Sequence, residues 1–176
     1  MKKVALIGSH GIRKTTHCHG LVACLKKSGV NAEYLPEFSR YSPFPINEST
    51  TEESQRWILY KQLLSETESL LLKPEVLVCD RGVIDNYAYF VRAFGRRPAL
   101  DPLIHEQSRA YDAIFKVPLL GQPIEDDGVR STDQKFQQEI DLIVDSLLQD
   151  FSIPFINFTS PEDSCRYILD EILKKS

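Results

Sequence analysis

The chemistry most readily read from this chain lies in Gly8-Ser9-His10-Gly11-Ile12-Arg13-Lys14-Thr15-Thr16. An apolar run, Val4-Ala5-Leu6-Ile7, precedes it and a helical pattern follows, giving the order strand, tight loop, helix N-terminus. The phosphate-binding pattern G-x-x-x-x-G-K-[ST] is met at Gly8, Lys14 and Thr15, while Arg13 stands where a second glycine is expected. In such a loop the main-chain N–H groups of the stretch from Gly8 through His10, Gly11, Ile12 and Arg13 to Lys14, Thr15 and Thr16 wrap phosphate oxygens. The helix N-terminus adds partial positive charge. Lys14 is then a point charge for the β- and γ-phosphates. The Thr15 hydroxyl is a ligand for Mg²⁺, a hard ion that prefers oxygen. The Cβ and guanidinium of Arg13 either obstruct the close approach that glycine permits or swing outward and add charge. The expectation is weakened nucleotide binding on an unchanged fold. The competing reading is a strand–turn–helix that binds nothing.

Two further pairs sit where a strand pattern ends. Glu37-Phe38-Ser39-Arg40 follows the run from Val30, so a carboxylate and a guanidinium arrive together. Asp80-Arg81 closes the apolar run Val76-Leu77-Val78-Cys79. An apolar run ending in Asp suits a second carboxylate that organises Mg²⁺ through water or the Thr15 hydroxyl, and Arg81 beside it can grip another anion. A buried structural ion pair is the alternative for that pair. Gln55 and Gln62 lie on a long helix placed to line a substrate cleft, with a solvated surface position as the alternative for each. His17-Cys18-His19 looks like a metal cluster, but consecutive helical residues point in different directions, which argues against a zinc site. Arg92, Arg96 and Arg97 read as a solvated basic edge.

The elements that must position these residues follow from periodicity and punctuation. Strands are expected near 3–8, 30–37, 76–80, 113–117 and 154–158. Helices are expected at 14–28, from a Thr50-Thr51-Glu52-Glu53 capping box to Pro74, and at 82–94, 101–111, 133–150 and from Ser160 onward. In the second helix, Trp57, Leu64 and Leu71 recur every seven residues and mark an apolar face. This alternation predicts an α/β fold with three α/β/α layers: a parallel sheet of about five strands, covered on both sides and joined by right-handed crossovers. Ligands bind at the carboxyl edge of such a sheet, where the loop, Glu37, Asp80 and Arg81 all fall.

The length of 176 residues suits a single domain over 1–176. A net charge of −4 leaves no general affinity for nucleic acid to explain. Four cysteines without a CxxC pair do not form a disulfide framework. The apolar runs fall far short of the ~20 residues that cross a bilayer, and a core strand begins at once, so the expectation is no leader, no membrane partner and a cytoplasmic location.

On Gly8…Lys14-Thr15-Thr16, Pro36-Glu37-Phe38-Ser39-Arg40, Cys79-Asp80-Arg81 and Arg130, the chain resembles the P-loop nucleoside and nucleotide kinases. It is most similar to the AAA-type ATPases related to the nicotinamide riboside kinase domain of NadR, over nearly its whole length. The resemblance implies a Walker A loop that holds ATP with Mg²⁺ and transfer of the γ-phosphate to a nucleoside, nucleotide or similar hydroxyl acceptor. It implies that Lys14, Arg81 and Arg130 neutralise phosphate charge, with Arg130 closing from a lid at about 119–132. Thr15 and Asp80 would organise the metal, and Glu37 would take the acceptor's proton. Glu37, Arg40, Gln62 and Arg81 would line the acceptor cleft. The alternative is a nucleotide-binding module, or an NTPase, whose loop is impaired by Arg13. Acceptor identity, ATP against GTP and oligomeric state stay open.

Overall fold

The computed structural model describes residues 1–119, 121, 124–126, 128 and 131–174. Five strands run in sequence order: β1 (Lys2–Ile7), β2 (Ala32–Leu35), β3 (Val76–Asp80), β4 (Ala113–Lys116) and β5 (Ile156–Asn157). They form one sheet of order β2-β3-β1-β4-β5, and every pairing is parallel. The helices are α1 (Lys14–Lys27), α2 (Glu52–Glu68), α3 (Val83–Phe94), α4 (Asp101–Arg109), α5 (Gln134–Asp150) and α6 (Pro161–Tyr167), the last running on into a π-helical turn at Ile168–Ile172. The expected three-layer arrangement is therefore the observed one.

The strands that read as unbroken apolar runs are the inner ones, because a strand covered on both faces has no solvent side to mark with polar residues. Alternate side chains feed two separate cores. Val4, Leu6, Val76, Val78 and Phe115 pack toward α1 and α6 with Leu21, Leu25 and Ile168. Ala5, Ile7, Leu77, Cys79 and Ile114 pack the other way, with Ile84, Tyr87, Ile140 and Val144 of α3 and α5. The connection leaving β1 thus covers one face and that leaving β3 covers the other. Between these neighbouring strands lies the switch point at which an open α/β sheet splays its loops into a crevice. The phosphate loop stands on one side of it and Asp80-Arg81-Gly82 on the other.

Two expectations about α2 are corrected. Its cap is Thr51, which pairs reciprocally with Ser54, so the third helical position is a serine and not an acid. Its inward face is not the Trp57–Leu64–Leu71 stripe: Leu64 is 52% and Leu71 82% exposed. The buried positions are Ser54, Gln55, Ile58, Leu59, Gln62, Ser65 and Glu66. A mostly polar face goes inward because each long polar group finds a partner there, which removes the penalty of burial. Gln55 donates to the Thr50 hydroxyl at 2.8 Å. Arg92, Arg96 and Arg97 pair with Glu139, Asp101 and Asp150, and Glu52 respectively, clasping helices together. The four cysteines are free thiols. No helix among the described residues is long and apolar enough to cross a membrane.

Candidate functional site: a cleft over the phosphate loop

The loop turns out of β1 at Gly8, whose φ of +133° and tight surroundings both demand glycine. A Cβ there would lie 2.8 Å from Ile12 Cδ1 and 3.0 Å from the Val117 carbonyl oxygen. Arg13 is the N-cap of α1 and takes φ 59°, ψ 25°, the left-handed conformation that glycine adopts without strain. Its side chain is exposed, so the guanidinium swings outward and does not fill the loop.

Lys14 is buried and curls back on the loop, donating to the Gly8 carbonyl at 3.0 Å and to that of Ser9. Burial, and after it the charge of Arg81, bring its pKa down to about 8 against the pull of Asp85, Glu37 and Asp80. An ammonium so short of anionic partners is ready to exchange two carbonyl oxygens for phosphate oxygens. Ser9 and the Gln137 amide, which donates to the His10 carbonyl at 2.7 Å, tie the loop to α5.

At the end of β3, Asp80 Oδ2 accepts from the Thr15 hydroxyl at 2.6 Å and from the Tyr34 hydroxyl at 3.0 Å. Its Oδ1 is buried with no hydrogen-bond partner. An alcohol oxygen beside a bare carboxylate oxygen fits a hard divalent cation taking part of its shell from water and phosphate. Among the described residues no cluster of three or more His, Cys, Asp or Glu could hold a metal.

Arg81 is buried with φ 88°. Its Nε lies 2.8 Å from Glu37 Oε1 and its Nη1 3.9 Å from Asp85 Oδ2. Nη2 donates to the Tyr89 hydroxyl at 3.3 Å, and the guanidinium lies 4.7 Å from the centre of that ring. The Nε–H and Nη1–H bonds are not aimed at these carboxylates, which leaves two charged donors without an aligned acceptor. Burial by itself would raise the Glu37 carboxyl; Arg81, then Lys14 and a hydrogen bond from Ser39, overcome it and hold the group at about 2. Asp85 goes the opposite way: burial raises it to about 6, although Arg81, Lys14 and the Gly82 N–H oppose that.

His10, Gly11, Ile12, Arg13, Lys14, Thr15, Thr16, Glu37, Arg40, Asp80 and Arg81 line a single cleft, about 950 Å³ counted to its open mouth. Gly8 shapes the turn from beneath. Gln62 is not in the cleft: it is fully buried behind the Arg81 peptide and donates to the Arg81 carbonyl at 3.2 Å. Arg130 lies outside the described residues. Sequence reasoning missed Asn86 and Tyr89, a helical turn apart on α3, and Ile58 on α2; all three line the cleft, and so does Gln55, for which the sequence leaves a cleft and a solvated surface position both open. The only signal for the first two was their distance from Arg81 at the start of a helix. A second cavity shares Gly11, Ile12 and Arg13 with the first and runs between His17, Pro118, Phe158 and Thr159. Arg13 therefore stands at the seam of two compartments, one carrying the ionic groups and one more apolar.

Residues 3–163 match a family model described as an AAA domain. No curated protein matches the chain by sequence. Among solved structures, the crystal structure of NadR protein in complex with NR superposes with a TM-score of 0.72 at 18% identity, covering 96% of this chain and 51% of that one. The chain thus spans about half the length of that structure, and what the two share is the kinase-like P-loop fold.

Proposed function

The chain belongs to the AAA domain family, and on that premise we propose that it transfers the γ-phosphoryl group of ATP to a hydroxyl of a small nucleoside, nucleotide or similar acceptor. One observation carries the reading: the phosphate loop and the Glu37–Arg81 ion pair open into the same cleft. The pair gives that cleft a carboxylate for an acceptor hydroxyl and a cation for the transferred phosphate.

In this reading the loop amides and Lys14 hold the β- and γ-phosphates, and Arg81 turns its unaligned Nε and Nη1 donors to the oxygens that gain charge in transfer. Arg130 is the further cation that this reading assigns to the transferred phosphate. Thr15 and Asp80 would hold Mg²⁺, which neutralises phosphate charge when bound. The acceptor oxygen forms its bond to the γ-phosphorus as the bond to the bridging β–γ oxygen breaks, and ADP leaves. Glu37, kept ionised by Arg81, accepts the hydrogen bond of the acceptor hydroxyl and orients it. So weak a base takes the proton late, once the new O–P bond has made that hydroxyl acidic. Arg40, Gln55 and Asn86 flank the acceptor's remaining body. A cytoplasmic setting, with its supply of ATP, is part of the same reading.

Calorimetric titration of ATP and of GTP, each with Mg²⁺, followed by a screen of nucleosides and nucleotides for transfer, tests this. Micromolar binding and acceptor-dependent release of ADP are expected. No binding of either triphosphate at millimolar concentration rejects it.

The left-handed Arg13 favours a second reading, a module that holds nucleotide without transferring phosphate. Tight binding with no transfer to any acceptor, and turnover gained in Arg13→Gly, would establish it.

A further inference from the structure

Arg81 is held in a backbone conformation that side-chain-bearing residues rarely adopt, and such strain persists only where the surroundings over-determine it. The clamps can be named. The Arg81 N–H donates to the Leu6 carbonyl at 3.1 Å. The Arg81 carbonyl accepts from Gln62 Nε2 at 3.2 Å. The Gly82 N–H donates to Asp85 Oδ1 at 2.7 Å, and the Val83 N–H to the Tyr111 hydroxyl at 3.2 Å.

Two of these clamps share an origin. The Gln62 amide also donates to Glu66 Oε1 at 2.8 Å, and the Tyr111 hydroxyl donates to the same oxygen at 2.5 Å. The other oxygen of Glu66 pairs with Lys3 Nζ at 2.6 Å, and that ammonium also stands 4.3 Å over the Tyr111 ring. The Gln62 amide nitrogen faces two acceptors, so its orientation follows from the network. Glu66 is thus a buried carboxylate from which two arms reach the peptides that follow β3, and none of Lys3, Gln62, Glu66 and Tyr111 enters the cleft.

We propose that Glu66, acting through Gln62 and Tyr111, is a positioning residue that fixes the Arg81 guanidinium against Glu37. Stability does not account for it, since a buried ion pair is on balance no better than well-packed apolar groups of the same size. What the pair supplies is a rigid acceptor at one point. The same helix carries Gln55 and Ile58 into the cleft two turns earlier, so α2 joins the acceptor end of the site to the peptide of the charge-stabilising arginine. The inference rests on the placing of Arg81 at the reacting phosphate.

The test is Gln62→Leu, which removes one arm and leaves the Lys3–Glu66 pair. With a transferable acceptor, kcat falls about tenfold or more, as expected when a charged group is displaced by a fraction of an ångström. The KM for ATP stays within about twofold, and in an Arg81→Lys background the same change alters kcat by less than about twofold, because the effect runs through Arg81. Tyr111→Phe, which keeps the ring packed, cuts the second arm and produces the same split. Equal losses in both backgrounds, or an unchanged kcat, overturn the proposal. Should the unmodified protein transfer no phosphate, the proposed function falls, and a crystal structure of Gln62→Leu decides this point alone. Arg81 displaced from Glu37 upholds it; Arg81 still at φ near 90° and paired refutes it.

Discussion

Two of the described arginines occupy backbone conformations that suit glycine, and they are held in opposite ways. Arg81 at φ 88° has hydrogen bonds on its own N–H and carbonyl and on the next two amides, and its side chain is buried against a carboxylate. Arg13 at φ 59° has, among the described residues, only its carbonyl engaged, accepting from the His17 N–H at 3.0 Å as α1 begins. Its side chain makes no hydrogen bond or ion pair among the described residues, and it is exposed. The first conformation is enforced by packing and the second is tolerated where helix and loop meet. A positive φ therefore does not by itself measure importance: at 81 the side chain must be aimed, whereas at 13 the main chain must turn and the side chain is carried along.

Removing the enforced arginine is expected to do the most damage. Arg81→Leu leaves the Glu37 carboxylate buried without its counter-charge, and urea denaturation should show a loss of about 3–5 kcal/mol. Transfer should fall by about a thousandfold. The pH dependence of stability changes with it. In the unmodified protein Glu37 has a folded pKa of about 2, below its ordinary 4.5, so its contribution is complete above 4.5 and is lost as pH falls through about 2. In Arg81→Leu that contribution disappears. Adding Glu37→Leu should recover most of the stability and none of the activity, which separates the pair as a fold element from the pair as a site.

Lys14 lies between the two cases: clamped like Arg81, but only to its own loop. Lys14→Met should cost about a hundredfold in triphosphate affinity, measured by calorimetry. It should also raise the stability of the ligand-free protein by on the order of 1 kcal/mol, because an ammonium held in unfavourable burial is removed. The lowered pKa gives the sign of a pH effect. Phosphate favours the charged form, so binding near pH 8 takes up protons, and affinity declines as pH rises through about 8. Titrations in buffers of different ionisation enthalpy measure that uptake. No uptake would mean that Lys14 does not meet the phosphates.

How much of this was readable in the chain follows the same division between local and distant causes. The phosphate loop, the β3 run ending in Asp80 and the strand–helix alternation are local patterns, and each stands where its residues put it. The inner face of α2 was misread because its buried polar groups are satisfied from far away in sequence. Glu66 meets Lys3 at a separation of 63 residues and Tyr111 at 45. Periodicity scores such a face as exterior, and it scores the exposed leucines 64 and 71 as interior. For the same reason Gln62 looked like a cleft residue when it is a prop behind one, and only their distance from Arg81 along the helix marked Asn86 and Tyr89 as lining.

A smaller effect is expected at the metal-organising pair. Thr15→Val removes the hydroxyl that bonds Asp80 Oδ2 and leaves the loop backbone in place. Affinity for ATP with Mg²⁺ should fall about tenfold, while affinity for ATP in excess chelator should change little. Equal losses in both conditions would assign the hydroxyl to the loop's shape and not to the ion.

The smallest expected change, and the one that bears most directly on the contrast between the two arginines, is Arg13→Gly. If the left-handed turn at 13 is merely tolerated, glycine relieves about 1 kcal/mol of strain, less part of that gain through the greater freedom of the unfolded chain. A rise of about 2–4 °C in melting temperature is the upper end for a chain of this length. The guanidinium already points outward and the loop already has the shape that glycine would give it, so ATP affinity should move by less than about fivefold, read against salt because a nearby charge is lost. A gain of a hundredfold in affinity, with turnover appearing where there was none, would show that the arginine had been closing the loop, and the module reading would replace transfer. A glycine variant that melts lower than the parent would mean that position 13, like position 81, is held by contacts its side chain makes.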